Sequence, residues 1–324
     1  MKARLLIGSL GLLVGGFVSV PLGCLGEEAD GANNTPAQEV VPHTLLEPSV
    51  DDALIQVELS KLGGVMVERG QLLAKAELLK RRLKTPLELP APSATPRTDA
   101  DLAARCKKSV VVVARLVRMG ATNDWVALPA TGFFISTSGG FVTSSHVIHN
   151  PDYEGMVVLA GDGRLFPVQG VIADDEECDV AVLKAEVGLV AALPLEAAGQ
   201  AGTRVAVLSH PVGRFFTYTQ GAVTRRSFQH TSSSFQEKLE ISAEFGPGSS
   251  GAPVVNSYGN VIGWVDTLRT WPNPAIRDGA VSPTLTFREC GVAGDILRLL
   301  AQIRETPASD LVRAVSTADL NKKP

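Results

Sequence analysis

The sequence predicts an all-β domain, preceded by a helical N-terminal segment and closed by a C-terminal helix. From residue 101 to about 304, short apolar runs alternate with Gly, Pro and Asn turns, a rhythm typical of a barrel or sandwich. The clearest strands are predicted at residues 110–116, 132–135, 156–159, 180–183, 205–208 and 261–265. Apolar residues at three- and four-residue steps indicate helices before and after this region.

Composition fits a globular protein with a substantial core. The chain has 324 residues, of which 45% are hydrophobic and 20% charged. The formal net charge is −4, and the longest basic run is Lys80-Arg81-Arg82, so no nucleic-acid partner is expected. No residue pattern indicates a metal or cofactor.

The first 26 residues are typical of a signal peptide. Lys2 and Arg4 precede an apolar stretch at residues 5–20, which is shorter than the ~20 residues that a membrane-spanning helix needs. Cleavage and export to the periplasm or cell envelope are expected, with membrane anchoring by this segment as the alternative. Cys24 leaves two interpretations open, cleavage with lipid attachment at its thiol or ordinary cleavage after Gly26.

Three segments precede the β-rich domain. Residues 27–50 are predicted to be a disordered tether, residues 51–84 helical with a break or bend at Gly63-Gly64, and residues 85–100 a Pro-rich linker. We expect the helical segment to pack on its own domain or act as a spacer, with oligomerisation through a coiled coil as the alternative. The domain itself spans 101–305, with the closing helix predicted at residues 291–303, and 306–324 form a flexible tail.

Three cysteines lie beyond the signal region, so at most one disulfide forms. Cys106 opens the domain and Cys290 precedes its last helix, which makes them the expected pair. Cys178 is expected to be a buried small side chain.

Three segments carry candidate catalytic side chains. His146 follows an apolar strand, Asp179 opens another, and Ser250 lies in the run Gly-Pro-Gly-Ser-Ser-Gly-Ala-Pro at residues 246–253. Each is weak alone, because structural histidines, strand-capping acids and Gly/Ser turns are common. Together they supply a base, an acid to orient it and a nucleophile on a tight turn.

Chain order narrows the choice of base. All five histidines precede Ser250, which excludes the order Ser, acid, His of the α/β-hydrolases with this serine. An order Asp179, His210, Ser250 can be written, but His210 lies in a turn-like Ser-His-Pro-Val-Gly stretch, and His146 is the better candidate.

Residues 101–268 resemble the protease domain of HtrA-like and other bacterial trypsin-like serine proteases. The shared motifs are Gly-Phe-Phe-Ile at 132–135, Thr-x-x-His-Val at 143–147, Asp-Val-Ala-Val-Leu at 179–183, and Gly-Ser-Ser-Gly-Ala-Pro at 248–253. A Pro-x-Gly turn at 211–213, a Gly-x-Val at 221–223 and Gly-Asn-Val-Ile-Gly at 259–263 also match.

The resemblance implies two six-stranded antiparallel β-barrels of the chymotrypsin type with the catalytic cleft between them. It also implies a serine endopeptidase that cleaves polypeptide substrates. Ser250 would be the nucleophile, His146 the general base and Asp179 the residue that orients it. The backbone N–H groups of Gly248 and Ser250 would form the oxyanion hole.

Departures from the family pattern are informative. Ser249 stands where digestive proteases carry the Asp that pairs with a new N-terminus, so activation by that salt bridge is not expected. No PDZ domain of the kind that usually follows in HtrA-like proteins is expected after the closing helix. Glu244 is placed near the primary specificity pocket, and the stretch containing Val265, Asp266 and Thr267 is expected to pair with substrate backbone.

Two alternatives to the endopeptidase remain at this stage. One is a catalytically idle protease fold that serves as a binding or scaffold protein of the cell envelope. The other is an esterase or acyl transferase that uses the same triad.

Overall fold

The computed structural model describes residues 39–46, 49–120, 123–149, 153–230, 235–271 and 285–305. Within these ranges, twelve strands form two six-stranded antiparallel sheets, each closed into a barrel. The all-β prediction with two barrels and a closing helix is therefore confirmed. None of the helices within the described ranges is long and apolar enough to cross a membrane.

The first barrel contains six strands in the order β1-β2-β3-β6-β5-β4. Their bounds are β1 Val110–Met119, β2 Asp124–Phe134, β3 Gly140–Thr143, β4 Gly155–Ala160, β5 Leu165–Asp175 and β6 Val180–Ala185. A short helix, α4 (Ser145–His149), follows β3. Pairing of β1 with β4 closes the barrel.

The second barrel repeats this topology with the order β10-β11-β12-β9-β8-β7. Its strands are β7 Arg204–Ser209, β8 Thr217–His230, β9 Phe235–Ile241, β10 Pro253–Asn256, β11 Val261–Trp271 and β12 Leu285–Val292. Numbered within each barrel, both orders read 1-2-3-6-5-4 around the ring. Helix α5 (Ala293–Glu305) follows β12.

Strand β1 shows how the core is divided. Val111 and Val113 point into the cluster that fills the first barrel. Val110 and Val112 alternate with them and join a separate cluster that includes Ile55 of the N-terminal segment. Since successive strand residues face opposite sides, residues 110–114 of β1 are all apolar because both faces of the strand are covered there.

The N-terminal segment packs on the first barrel. Helix α1 (Asp52–Glu68) contacts β1, β2 and β4, and α2 (Lys75–Lys80) contacts β5. The helix does not break at Gly63-Gly64, because α1 continues through both residues. A Cβ on Gly64 would lie 2.2 Å from the Trp125 ring, so the glycine permits close packing of helix on strand.

Residues on either side of α1 and α2 also lie against the barrels. In the segment predicted as a tether, Val41 N–H donates to Gly163 O at 2.8 Å. In the Pro-rich segment, Ser93 N–H donates to Asn260 Oδ1 at 2.8 Å. Helix α3 (Asp99–Ser109) then leads into β1. These parts of the chain are therefore attached to the barrels by specific backbone contacts.

The expected Cys106–Cys290 disulfide is wrong. Both thiols are free and buried, and they belong to different apolar clusters. Burial raises the pKa of the Cys106 thiol to about 12. Cys178 is also free and only partly buried. Cys24 lies outside the described residues.

Candidate active site

His146 and Asp179 form a two-point contact at the end of the first barrel. The His146 backbone N–H donates to Asp179 Oδ1 at 2.8 Å, and the ring Nδ1 lies 2.9 Å from Asp179 Oδ2. Pairing of Thr143 with Ala181 brings α4, which follows β3, beside the start of β6. Because an ionised carboxylate only accepts hydrogen bonds, Nδ1 carries a proton and Nε2 is free to accept one.

Asp174 holds helix α4 on both sides of His146. Its Oδ1 accepts a bond from Ser145 Oγ at 2.6 Å, and its Oδ2 lies 2.7 Å from His149 Nε2. The carboxylate is almost completely buried, at 4% exposure. These contacts fix the helix from which the His146 ring projects.

The same cluster fits a metal ion poorly. Ligand atoms of His149, Asp174 and Glu176 lie within 4.8 Å of one another. Both Asp174 oxygens are already engaged, however, and the Arg82 guanidinium lies 3.9 Å from Oδ2, where it opposes a cation. We assign no metal to it.

The electrostatic surroundings of His146 favour its protonated form. The hydrogen bond with Asp179 raises the pKa of His146 by more than burial lowers it. The charges of Asp179 and Asp266 raise the pKa further, and Arg115 opposes them. An imidazole with this pairing can take a proton from a neighbouring hydroxyl and hold the resulting charge.

A tight turn precedes Ser250. Ser249 N–H donates to Gly246 O at 2.9 Å, and Gly248 at the third position has φ +94°. Pro at the second position and a left-handed Gly at the third are typical of a type II turn. Gly251 is also left-handed, and a Cβ there would lie 2.5 Å from Thr131 O and 2.7 Å from Ser144 N. The Gly251 backbone, next to Ser250, therefore lies close against the segment that leads into α4.

Thr131 of β2 fastens this turn to the first barrel. Its N–H donates to Ser250 O at 3.1 Å, and its Oγ1 donates to Gly248 O at 2.8 Å. Its own carbonyl accepts a bond from Thr143 Oγ1 at 2.8 Å. Sequence analysis missed this completely buried residue, because nothing in its sequence context distinguishes it from other strand threonines.

The two adjacent serines have different surroundings. Ser249 is buried, and its Oγ donates to Ser209 Oγ at 2.9 Å, so its hydroxyl is directed into the second barrel. Ser250 is partly exposed, and its Oγ forms no hydrogen bond with any residue that the structure describes. The accessible hydroxyl in this turn is therefore that of Ser250.

The peptide between Pro247 and Gly248 has a defined orientation. The Pro247 carbonyl accepts a bond from Val212 N–H at 2.6 Å. In a planar trans peptide the N–H points opposite the carbonyl, so Gly248 N–H is directed away from Val212. Among the described residues, neither this N–H nor that of Ser250 donates to any group. Two amide donors are thus available close to the Ser250 hydroxyl.

His210 has a structural environment. It is completely buried, its Nδ1 accepts a bond from Phe216 N–H at 3.0 Å, and its own N–H donates to Thr131 Oγ1. Burial lowers the pKa of His210 to about 4. The carboxylate of Asp179 is paired with His146, so the order Asp179, His210, Ser250 has no support in this geometry.

The residues predicted to bind substrate occupy varied positions. Glu244 is 80% exposed and its carboxylate lies 3.4 Å from the Arg288 guanidinium, an ion pair that takes up part of its charge. Val265 is buried and exchanges backbone bonds with the Ser250 turn, since its carbonyl accepts Gly251 N–H at 2.9 Å. Thr267 is exposed.

Asp266 is directed inward. It lies at an irregularity in the pairing of β11 with β12, and its Oδ2 is 2.7 Å from the largely buried Lys238 Nζ. Its carboxylate is therefore engaged by a lysine of β9.

Two barrels of the same topology, an Asp-His pair on the first and a serine turn on the second are features that a trypsin-like protease domain would also have. Residues 130–263 match the family model described as "Trypsin-like peptidase domain". The chain is 29% identical over 203 residues to "Serine protease HTRA2, mitochondrial" of Drosophila erecta, covering 58% of this chain and 48% of that protein. It is 34% identical over 139 residues to "Uncharacterized protein y4bJ" of Sinorhizobium fredii, covering 42% of this chain and 21% of that protein.

A solved structure shows the same fold. The "HtrA-type protease AlgW with decapeptide" superposes with a TM-score of 0.52 at 19% identity, over 64% of this chain and 68% of that one. The resemblance to trypsin-like, HtrA-like proteases is thereby confirmed. The chain spans 21% of the length of the y4bJ protein and 48% of that of HTRA2.

Proposed function

We propose that the protein is a serine endopeptidase that cleaves polypeptides through Ser250, His146 and Asp179. The similarity to trypsin-like proteases of the HtrA type supports a protease, and the two-point His146–Asp179 contact is the observation that carries the proposal. An idle fold would need neither this paired imidazole nor an accessible serine beside unengaged amide donors.

In this mechanism, His146 Nε2 accepts the Ser250 hydroxyl proton as Oγ attacks the peptide carbonyl. Asp179 keeps the imidazole in the required tautomer and stabilises its charged form. Gly248 and Ser250 N–H groups bind the oxyanion, each worth about 3 kcal/mol in comparable sites. His146 then donates the proton to the leaving amine, and water hydrolyses the acyl-enzyme.

Polypeptide substrates are favoured over simple esters. The AlgW structure contains a decapeptide, and the exposed part of β11 beyond Asp266 in this chain offers backbone groups to an extended peptide. Glu244 is proposed to contribute to side-chain preference, with its attraction for Lys or Arg reduced by Arg288.

Digestion of unfolded casein tests the activity. The wild-type protein is expected to generate new peptide N-termini, Ser250→Ala is expected to generate none, and Ser249→Ala is expected to retain activity because its hydroxyl faces the second barrel. Cleavage of a nitrophenyl ester without cleavage of casein would favour the esterase. Absence of both activities in a folded wild-type protein would favour the scaffold.

We also propose export to the periplasm or cell envelope. The charged start and apolar stretch at residues 2–20 support it, as does 29% identity over 135 residues to "Probable periplasmic serine endoprotease DegP-like" of Hahella chejuensis. N-terminal sequencing of envelope material should find the chain cleaved near residues 23–26. A chain that retains Met1 in the cytoplasmic fraction would contradict export.

A further inference from the structure

The loop at residues 210–216 contains a strained residue that contacts the turn at residues 246–249, just before Ser250. Val212 has φ +47° and ψ +36°, a left-handed conformation that β-branched residues rarely adopt. Its side chain is 72% exposed, so burial of that side chain does not compensate the strain. Its N–H nevertheless donates to Pro247 O at 2.6 Å, the bond that orients the Gly248 peptide. Other contacts must therefore hold the loop in place.

One of these contacts lies within the loop, at His210, and another comes from Lys107 of helix α3. His210 accepts the Phe216 N–H, and its ring packs against the Phe215 and Phe216 rings at centroid distances of 5.8 and 4.9 Å. Lys107 Nζ lies 5.7 Å from the centre of the Phe216 ring. These contacts fix the C-terminal part of the loop.

The third contact comes from the N-terminal segment. Asp52 Oδ1 accepts the Phe215 N–H at 2.8 Å, although the two residues are 163 positions apart. Asp52 is the first residue of α1, which is anchored by buried Ile55 and Leu59. An acid in the first turn of a helix is common because it complements the helix dipole, but that preference does not explain a bond to a distant backbone amide. A charge-assisted bond from a fixed helix is a strong restraint on a loop.

We propose that Asp52 is a positioning residue for the oxyanion hole. By holding Phe215 N–H it keeps loop 210–216 in the conformation in which Val212 N–H binds the Pro247 carbonyl, and Gly248 N–H stays directed at the substrate oxyanion. This inference rests on the proposed function. It makes peptide hydrolysis depend on a helix outside the segment 130–263 that matches the trypsin-like family.

The test compares Asp52→Ala, Asp52→Asn and Asp51→Ala in the full chain. Asp51 is a matched control, since its side chain caps the same helix by accepting Leu54 N–H at 3.1 Å and has no bond to the loop. Loss of an oxyanion donor lowers kcat by about 100-fold or more. Asp52→Ala removes the acceptor of the Phe215 N–H, so the Gly248 N–H is held less firmly. It should lower kcat by about 10-fold or more with KM changed by less than about 2-fold.

Asp52→Asn should restore most of kcat, because the amide oxygen still accepts the Phe215 N–H. Asp51→Ala should lower the melting temperature by a few degrees, roughly as loss of a helix cap does, and leave kcat unchanged. Equal effects of Asp51→Ala and Asp52→Ala on kcat would overturn the inference, as would a change confined to KM.

Hydrogen exchange separates this inference from the proposed function. In the Ser250→Ala background, where no hydrolysis is required, Asp52→Ala should accelerate exchange of the Val212 amide by about 10-fold or more, and Asp51→Ala should not. Unchanged exchange at Val212 would overturn the positioning role even if the protease is active. If exchange at Val212 is accelerated but the wild-type protein does not hydrolyse casein, Asp52 restrains the loop and the proposed protease function is wrong.

Discussion

Individual residues set the geometry of the site through backbone contacts. Gly248 and Gly251 both have positive φ, and each lies where a Cβ would clash with a backbone carbonyl, that of His210 or of Thr131. Asp179 adopts φ +56°, which Asp tolerates better than most side chains. The Gly-x-Ser-Gly pattern thus predicted a tight turn correctly. The residues against which this turn packs, Thr131 and His210, could be found only from the folded chain.

The protonation of His146 leads to a prediction about pH. Because the Asp179 hydrogen bond raises the pKa of His146, kcat/KM should rise with pH with a midpoint above ~6.5, the ordinary histidine value. The charged groups that act on it are Asp179 and Asp266, which raise the pKa, and Arg115, which lowers it. A midpoint at or below about 6.5 in the pH profile of casein hydrolysis would contradict this.

The shifted pKa values of His146 and His210 also make the folding stability depend on pH. The folded pKa of His146 is raised, so its contribution is fully present below ~6.5 and is lost as pH rises through the folded value. Burial lowers the pKa of His210 to about 4. Between pH ~4 and pH ~6.5 this residue therefore makes the protein less stable as pH falls. The decrease in unfolding free energy above ~6.5 should therefore be absent from His146→Ala.

At the scale of elements, the strand β9 links the second barrel to the loop that carries Asp179. Gln236 donates to Glu177 O, and Lys238 pairs with Asp266 of β11. Both side chains of this ion pair are largely buried, with exposures of 5% and 11%. Apart from the Gly-x-Val match at 221–223, sequence analysis did not predict β8 or β9, because their many charged and polar residues lack a strong apolar alternation.

This ion pair gives a stability prediction. Lys238→Met leaves Asp266 buried without its charged partner and should lower the free energy of unfolding by about 3–5 kcal/mol. The double variant Lys238→Met/Asp266→Leu should recover most of that loss, because no unpaired charge remains. Guanidinium denaturation measures both.

The exposed pair of Lys61 and Glu58, 3.9 Å apart, provides the control. Lys61→Met should change stability by less than about 0.5 kcal/mol. A double variant as unstable as Lys238→Met alone would show that packing, and not the unpaired carboxylate, is responsible.

For the whole molecule, the series of protease-like motifs predicted more of the fold than the local pattern of apolar residues did. All six predicted strands overlap observed strands, yet the pattern alone left barrel and sandwich open, and the resemblance supplied two barrels. Packing of the helical segment on its own domain was expected, but the particular contacts of residues 39–46 and 49–109 were not predictable, since pairs such as Asp52 and Phe215 are far apart in sequence. The separation of Cys106 from Cys290 likewise depends on the three-dimensional fold.

The central claim is that the chain gathers His146, Asp179 and Ser250 into one reactive site, and mapping of a fluorophosphonate adduct by mass spectrometry tests it most directly. Covalent modification is expected at Ser250 alone, with a rate that rises with pH and falls by about 10⁴-fold in Asp179→Asn, as loss of the orienting acid does in comparable triads. No adduct in folded protein, an adduct on Ser249, or labelling of Ser250 that is indifferent to His146→Ala would contradict the account.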